Sequence, residues 1–219
     1  GVFQGHVWDY IIHGAGNAHP RAFAEQPVET MKANLTGTMN VLDHAVSQET
    51  FDKVKKVIFL SSGEVYGEAE MISPDGWTEE TAGKIDSMKV RACYPESKRA
   101  AETLCLSYYN EYTINTVVAR LSYIYGATIQ AENTRADAQF LRKALAGEDI
   151  VMKSAGTQFR SYCYLEDAVQ ALLMLLLQGE AGEVYNVANP NSNVTIRKFA
   201  ETLAEVFHVG VQTELPDAI

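Results

Sequence analysis

Tyr94 and Lys98 stand four residues apart in Tyr94-Pro95-Glu96-Ser97-Lys98. On a helix that spacing puts both side chains on one face, about a turn apart. A phenol has a reference pKa of about 10 and is a poor base at neutral pH. A nearby ammonium favours the phenolate, and a hydroxyl such as that of Ser62 can donate to it or to a substrate oxygen. The set is suited to moving a proton on and off an alcohol or sugar oxygen. With 11 Tyr in 219 residues, the spacing alone is expected by chance roughly half a time, so its context decides.

The elements that must position these residues are legible around them. Val57-Ile58-Phe59-Leu60 reads as a strand buried on both faces of a parallel sheet, ending at Ser61-Ser62, where function belongs in such a sheet. Ser61 then faces the other side and packs. From Tyr94 the residues Ala100, Ala101, Leu104 and Tyr108 repeat with helical period. Tyr10 to His13 reads as a short strand closed by His13-Gly14-Ala15-Gly16, whose small residues let a ligand approach the backbone. A lone His at a strand end is more often structural than functional. Pro27 to Ser47 is helical through Val28, Met31, Leu35, Met39, Leu42, Ala45 and Val46, with Pro27 suited to a first turn.

Further on, Asn115 to Leu121 is a strand, Arg135 begins a helix closed by Gly147, and Ile150 to Met152 is a strand. Leu165 to Leu177 reads as a largely buried helix, Glu183 to Ala188 as a strand, and Thr195 as the N-cap of a last amphipathic helix to His208. Strands alternating with helices predict an α/β fold, with a mostly parallel sheet and helices on both faces. Residues 68 to 93 form a long polar loop, a kind that is usually functional or mobile, and it is expected to border the substrate cleft.

The formal charge of −10 argues against nucleic acid or an anionic membrane as partner, so an anionic ligand needs a local basic site. The three Cys (93, 105 and 163) have no Cys-x-x-Cys spacing, which predicts reduced thiols in a cytoplasmic protein. His6, His13, His19, His44 and His208 show no metal-ligand spacing. The longest apolar run, Ala168 to Leu177, is interrupted by Gln170 and falls short of the 18 or more residues of a membrane span.

Asp9-Tyr10-Ile11-Ile12-His13-Gly14-Ala15-Gly16, Asn34-x-x-Gly37-Thr38, Ser61-Ser62-x-Glu64-Val65-Tyr66-Gly67, Tyr94-x-x-x-Lys98 and Arg120-x-x-x-x-Tyr125-Gly126 follow in order along nearly the whole chain. Together they resemble the extended short-chain dehydrogenase/reductases, and within them the NAD-dependent nucleotide-sugar epimerases, 4,6-dehydratases and UDP-glucuronate decarboxylases. The resemblance implies a Rossmann-type doubly wound sheet. Residues 1–127 would be the C-terminal part of the NAD-binding domain with the catalytic residues. Residues 128–219 would be a mixed substrate-binding portion, of which 150–188 partly returns to the core sheet. No Gly-x-x-Gly-x-x-Gly turn is present, so the expectation is that the N-terminal part of such a domain lies outside these 219 residues.

The resemblance also implies roles. Ser62, Glu64, Tyr94 and Lys98 are the catalytic candidates, and His13, Gly14, Ala15, Tyr94 and Lys98 the NAD contacts. Ser62, Glu64, Tyr123, Arg135 and Arg160 are the candidates for binding a nucleotide sugar. Asn34 is expected to tie its helix to the sheet. Glu64 points to dehydratases and decarboxylases over 4-epimerases. Gly63 stands where the typical 4,6-dehydratase has an Asp that protonates the leaving C6 hydroxyl. Tyr123 stands where relatives have an Asn on the substrate pyrophosphate. Arg160 suits a phosphate because its fork makes two parallel bonds, while Arg135 fits either the same cleft or a helix-surface ion pair.

The implied protein is an NAD-dependent lyase of the 4,6-dehydratase or decarboxylase type. A 4-epimerase is one alternative, and a non-catalytic NAD(P)-binding relative or an inactive fragment is another. A homodimer through the helix pair 28–46 and 94–108 is expected from the resemblance, although both apolar faces could equally be core.

Overall fold

The computed structural model describes residues 8–47, 54–68, 76–127 and 133–214. His6, the Pro74-Asp75 part of the long loop and the final Leu215 to Ile219 lie outside the described residues. In chain order the elements are β1 (Tyr10–His13), α1 (Pro20–Glu25), α2 (Pro27–Ser47), β2 (Lys56–Ser62), α3 (Cys93–Tyr112), β3 (Thr116–Leu121), β4 (Tyr123–Tyr125), α4 (Ala136–Leu145), β5 (Ile150–Met152), β6 (Phe159–Tyr164), α5 (Leu165–Gln178), β7 (Val184–Val187), β8 (Asn193–Thr195), α6 (Ile196–Phe207) and β9 (Val211–Thr213). They divide into two compact units, Gly1–Ser122 with Asp167–Val187, and Tyr123–Glu166 with Ala188–Ile219.

The first unit is built on a parallel sheet of order β1-β2-β3-β7. Strand β2 is its centre because Val57, Ile58 and Phe59 are buried on both faces, which only a strand covered on both sides tolerates. Its register pairs Ile58 with Ile12 of β1 and with Val117 of β3. Helices α2 and α3 close one core with this sheet, through Val41, Leu42 and Ala45, Ala101 and Cys105, and Val57, Phe59 and Val118. Lys56, also buried, donates to the carbonyls of Leu175 and Gly179 at 3.0 and 2.8 Å and so caps the last turn of α5.

Two helices turn differently from the sequence expectation. The buried face of α2 is Thr30, Asn34, Thr38, Val41, Leu42 and Ala45, while Val28, Met31, Met39 and Val46 of the apolar stripe are exposed. Helical period alone marks that a stripe exists, and the neighbours decide which face is covered. Similarly α5 is not largely buried: only Ala168 is, and Val169, Leu173, Met174 and Leu177 are exposed.

The polar segment after β2 is pinned where it is described. Gly67 turns it with φ 59° and ψ −139°, and Glu68 then bridges Lys84. Arg99 holds the far side by donating to the carbonyls of Val65 and Gly83, both at 2.7 Å. A half-buried ion pair, Arg120 with Glu102 at 2.7 Å, underlies it, and Arg120 also donates to the Tyr66 hydroxyl and the Glu79 carbonyl. Ser61 donates to the same Glu102, which is what its expected packing amounts to.

The second unit has a three-stranded sheet, β4-β6-β8, and a parallel pair, β5-β9. Helices α4 and α6 close its core with Phe140, Ala144, Ile150, Met152, Ala200 and Ala204. The Thr195 hydroxyl accepts the Lys198 N–H at 3.0 Å, so it is the N-cap of α6 that the sequence announces.

Candidate active site

At the carboxyl end of β2 the chain tightens into a 3-10 turn, Gly63–Tyr66. Ser62 caps it, its Oγ accepting the Glu64 N–H at 3.2 Å. The Glu64 carboxylate is not merely solvated: both oxygens lie on Arg91 Nη2, at 2.8 and 2.6 Å. The Arg91 guanidinium in turn lies 4.6 Å from the centroid of the Phe23 ring. Phe23 stacks on Tyr94 at 4.3 Å with 21° between planes.

Tyr94 and Lys98 sit in the first turns of α3, as their spacing predicts, and both are buried. Lys98 Nζ donates to the Leu60 carbonyl at 2.8 Å and lies 4.6 Å from the Phe59 ring centroid and 5.9 Å from that of Tyr94. Burial pulls the Lys98 pKa down to about 8, against the opposing pull of Glu102 and Cys105. The cation is therefore still present at neutral pH, beside the Tyr94 ring.

A buried polar chain runs behind this pair. His13 Nε2 and Thr38 Oγ1 are 3.0 Å apart, Thr38 donates to the Asn34 carbonyl, Asn34 Nδ2 donates to Ser97 Oγ at 2.9 Å, and Ser97 donates to the Tyr94 carbonyl. Asn34 thus ties α2 to α3 and not, as expected, to the sheet. Burial, and secondly the Lys98 charge, lowers the His13 pKa to about 4, so the ring is neutral at pH 7.

The turn after β1 is small for a reason. A Cβ on Gly14 would come 3.0 Å from Leu60 Cδ1, and one on Gly16 2.7 Å from Asn34 Oδ1, an oxygen that is buried and has no hydrogen-bond partner among the described residues. A turn with no side chain larger than a methyl after His13, next to that neutral ring and a buried ammonium, leaves the backbone open to close approach by NAD. His13, Gly14, Ala15, Tyr94 and Lys98 are the residues that would hold it.

The second unit gathers the remaining candidates. The guanidinium carbons of Arg135 and Arg160 lie 5.0 and 4.9 Å from the centroid of one ring, Tyr123. Arg135 pairs with Asp137 at 3.3 Å, yet its Nη2 is buried with no hydrogen-bond partner among the described residues. Arg160 donates to the Phe159 carbonyl at 2.8 Å. The neighbouring Tyr162 hydroxyl is pushed up to about 12, by burial first and by Asp137 next. Two cations beside one carboxylate, with a buried N–H unmatched among the described residues, are a donor set whose chemistry suits an anion.

The sequence reading missed Arg91 and Phe23. Arg91 had a signal, since it stands three residues before Tyr94; Phe23, 71 positions from Tyr94, had none.

A parallel sheet with helices packed on it, and a Tyr/Lys pair on the helix that follows strand β2, is the architecture of a Rossmann-type nucleotide-binding fold. The sequence profile of the NAD dependent epimerase/dehydratase family matches residues 1–188, and the chain belongs to that family. It is 33% identical over 207 residues to UDP-glucuronic acid decarboxylase 6 of Arabidopsis thaliana, an alignment covering 94% of this chain and 57% of that protein. The chain therefore spans little more than half the length of this curated relative. Among solved structures it is similar to UDP-glucose 4-epimerase of Thermotoga maritima, with TM-score 0.85, 24% identity and coverage of 98% of this chain and 66% of that one. It is also similar to dTDP-glucose 4,6-dehydratase of Bacillus anthracis in complex with NAD, with TM-score 0.76, 22% identity and coverage of 96% and 61%. These two likenesses speak to the fold alone.

Proposed function

We propose that this chain carries the catalytic core of an NAD-dependent lyase that decarboxylates a nucleotide-linked uronic acid through transient oxidation at C4 of the sugar. When bound, NAD supplies a hydride acceptor and donor. Tyr94, with Lys98 beside its ring and Ser62 at the strand end, takes the proton of the C4 hydroxyl as that carbon becomes a ketone. The ketone lies β to the C5 carboxylate, so the C5–carboxylate bond breaks with its electron pair delocalised into the carbonyl, and carbon dioxide leaves. Loss of carbon dioxide consumes one proton at C5, which Glu64 takes up from solvent and delivers to that carbon, and Tyr94 returns its own when C4 is reduced. Arg135 and Arg160, whose guanidinium carbons lie 5.0 and 4.9 Å from the Tyr123 ring centroid, take the diphosphate of the nucleotide sugar.

The observation that carries decarboxylation over 4,6-dehydration is Gly63. Elimination of water from C6 needs an acid for the leaving hydroxyl, and glycine has none; carbon dioxide leaves without one. The likeness to UDP-glucuronate decarboxylases supports the same choice. The exposed Val28, Met31, Met39 and Val46 of α2 and Leu106 and Tyr112 of α3 support a homodimer through this helix pair.

The test is calorimetric titration of the chain, and of a longer protein that carries it, with NAD. Turnover of UDP-glucuronate, dTDP-glucose and UDP-glucose then follows, read by NMR and by release of carbon dioxide. A UDP-pentose and carbon dioxide are expected. A 4-keto-6-deoxy sugar makes the protein a dehydratase, UDP-galactose makes it a 4-epimerase, and NAD binding without conversion of any sugar leaves a binding protein.

A further inference from the structure

Glu64 is held at both ends, and only one of the holds belongs to the proposed chemistry. Its backbone N–H goes to Ser62 Oγ, while its carboxylate rests on Arg91, which lies in the 3-10 turn Val90–Ala92 that runs directly into α3. An exposed ion pair ordinarily leaves both partners free to move. Here the guanidinium faces the Phe23 ring at 4.6 Å, Phe23 is 1% exposed, and the other neighbour of that ring is Tyr94 at 4.3 Å. Cys93 Sγ adds a weak bond to the Phe23 carbonyl at 3.7 Å, fastening α1 to the start of α3.

We propose that Arg91 is a positioning residue, which fixes the Glu64 carboxylate relative to Tyr94 through the stack Arg91–Phe23–Tyr94. The proposal rests on the reading of Glu64 as the residue that handles the C5 proton. Arg91 itself touches no reacting atom in this scheme. A guanidinium suits the position because its charge is spread over a plane with five N–H donors, so Nη2 can meet the carboxylate while the carbon stays 4.6 Å from the Phe23 centroid; an ammonium puts its charge on one nitrogen that must serve both contacts.

The experiment is steady-state kinetics of Arg91→Ala, Arg91→Lys and Glu64→Gln, singly and with Arg91→Ala combined with Glu64→Gln, together with crystal structures of the wild type and Arg91→Ala. A positioned acid or base contributes about 100-fold or more, and misplacing it by an ångström forfeits much of that. Arg91→Ala is expected to lower kcat by about 10- to 100-fold with KM changed less than about 3-fold. Methylguanidinium is expected to restore part of that loss, Arg91→Lys to recover less than the guanidinium does, and Arg91→Ala to add nothing in the Glu64→Gln background. An unchanged kcat in Arg91→Ala, or equal losses with and without Glu64→Gln, overturns the proposal and leaves the lyase reading standing. A wild type that converts no nucleotide sugar overturns the lyase reading instead. The crystal structures then judge the positioning by itself, which fails if the Glu64 carboxylate keeps its place when Arg91 is gone.

Discussion

Lys98 Nζ donates to the carbonyl of Leu60, two residues before Ser62, at 2.8 Å. The cation of the Tyr94/Lys98 pair is thereby anchored to the strand that also delivers the candidate hydroxyl. One hydrogen bond between α3 and β2 thus links the two elements that carry the proposed acid/base residues. A buried ammonium costs desolvation, which the lowered pKa of about 8 records.

The first prediction concerns that ammonium. Lys98→Met removes the charge and keeps the stem volume. Replacing a buried charge by an apolar group is often neutral for stability, so the melting temperature is expected to move by no more than a few degrees. Turnover is expected to fall by about 100-fold or more. Paired calorimetry and kinetics check this, and an active Lys98→Met variant removes Lys98 from the mechanism.

Tyr94→Phe keeps the stack on Phe23 and deletes only the hydroxyl. Turnover is expected to drop by at least about 100-fold, with NAD affinity changed little. Wild-type turnover in this variant would falsify the assignment of Tyr94 as the acid/base.

His13 gives a pH dependence whose sign follows from its shift. Its folded pKa is about 4 against an unfolded 6.5, so between these values the unfolded chain binds a proton that the folded chain does not. Stability from this residue is present above pH 6.5 and lost as pH falls towards 4. At about 1.4 kcal/mol per pH unit between the two values, the full loss is on the order of 3 kcal/mol. His13→Gln cannot titrate, so urea unfolding at pH 7.5, 5.5 and 4.5 should show a flatter dependence than in the wild type; identical slopes refute the assignment.

Gly67 is a position where a side chain meets backbone. With φ 59° and ψ −139° its backbone is one that glycine adopts readily, and a Cβ would run into the Lys84 carbonyl and come 2.7 Å from Ile85 Cγ1. Gly67→Ala is expected to cost about 2 kcal/mol or more, read from urea denaturation midpoints. A variant as stable as the wild type means the turn is not held as described.

In the second unit, Arg160→Ala should raise KM for the nucleotide sugar by about 10- to 100-fold with a smaller change in kcat, the worth of a charge-assisted hydrogen bond. Arg135→Ala should act in the same direction. Isothermal titration with the free nucleoside diphosphate separates this from a catalytic effect, since binding of that fragment must weaken as well.

Much of this protein is determined locally, and its sequence alone suffices for those parts. A run of β-branched and aromatic residues can be satisfied only in a covered strand, so Val57–Phe59 announces the centre of the sheet. A period of 3.6 residues per turn puts Tyr94 and Lys98 on one face whatever else the chain does. The small turn at Gly14 to Gly16 and the cap at Thr195 are equally local. What only the tertiary structure decided is every relationship between residues far apart in the chain. Asn34 reaches Ser97 on α3 and not the sheet, and α2 turns Thr30 and Thr38 inward while Met31 and Met39 face out. Arg91 meets Glu64 across 27 positions, and Phe23 stacks on Tyr94. A periodic pattern states that a helix has two faces; which one is buried, and which distant side chain meets a carboxylate, depends on how the packed elements fill space.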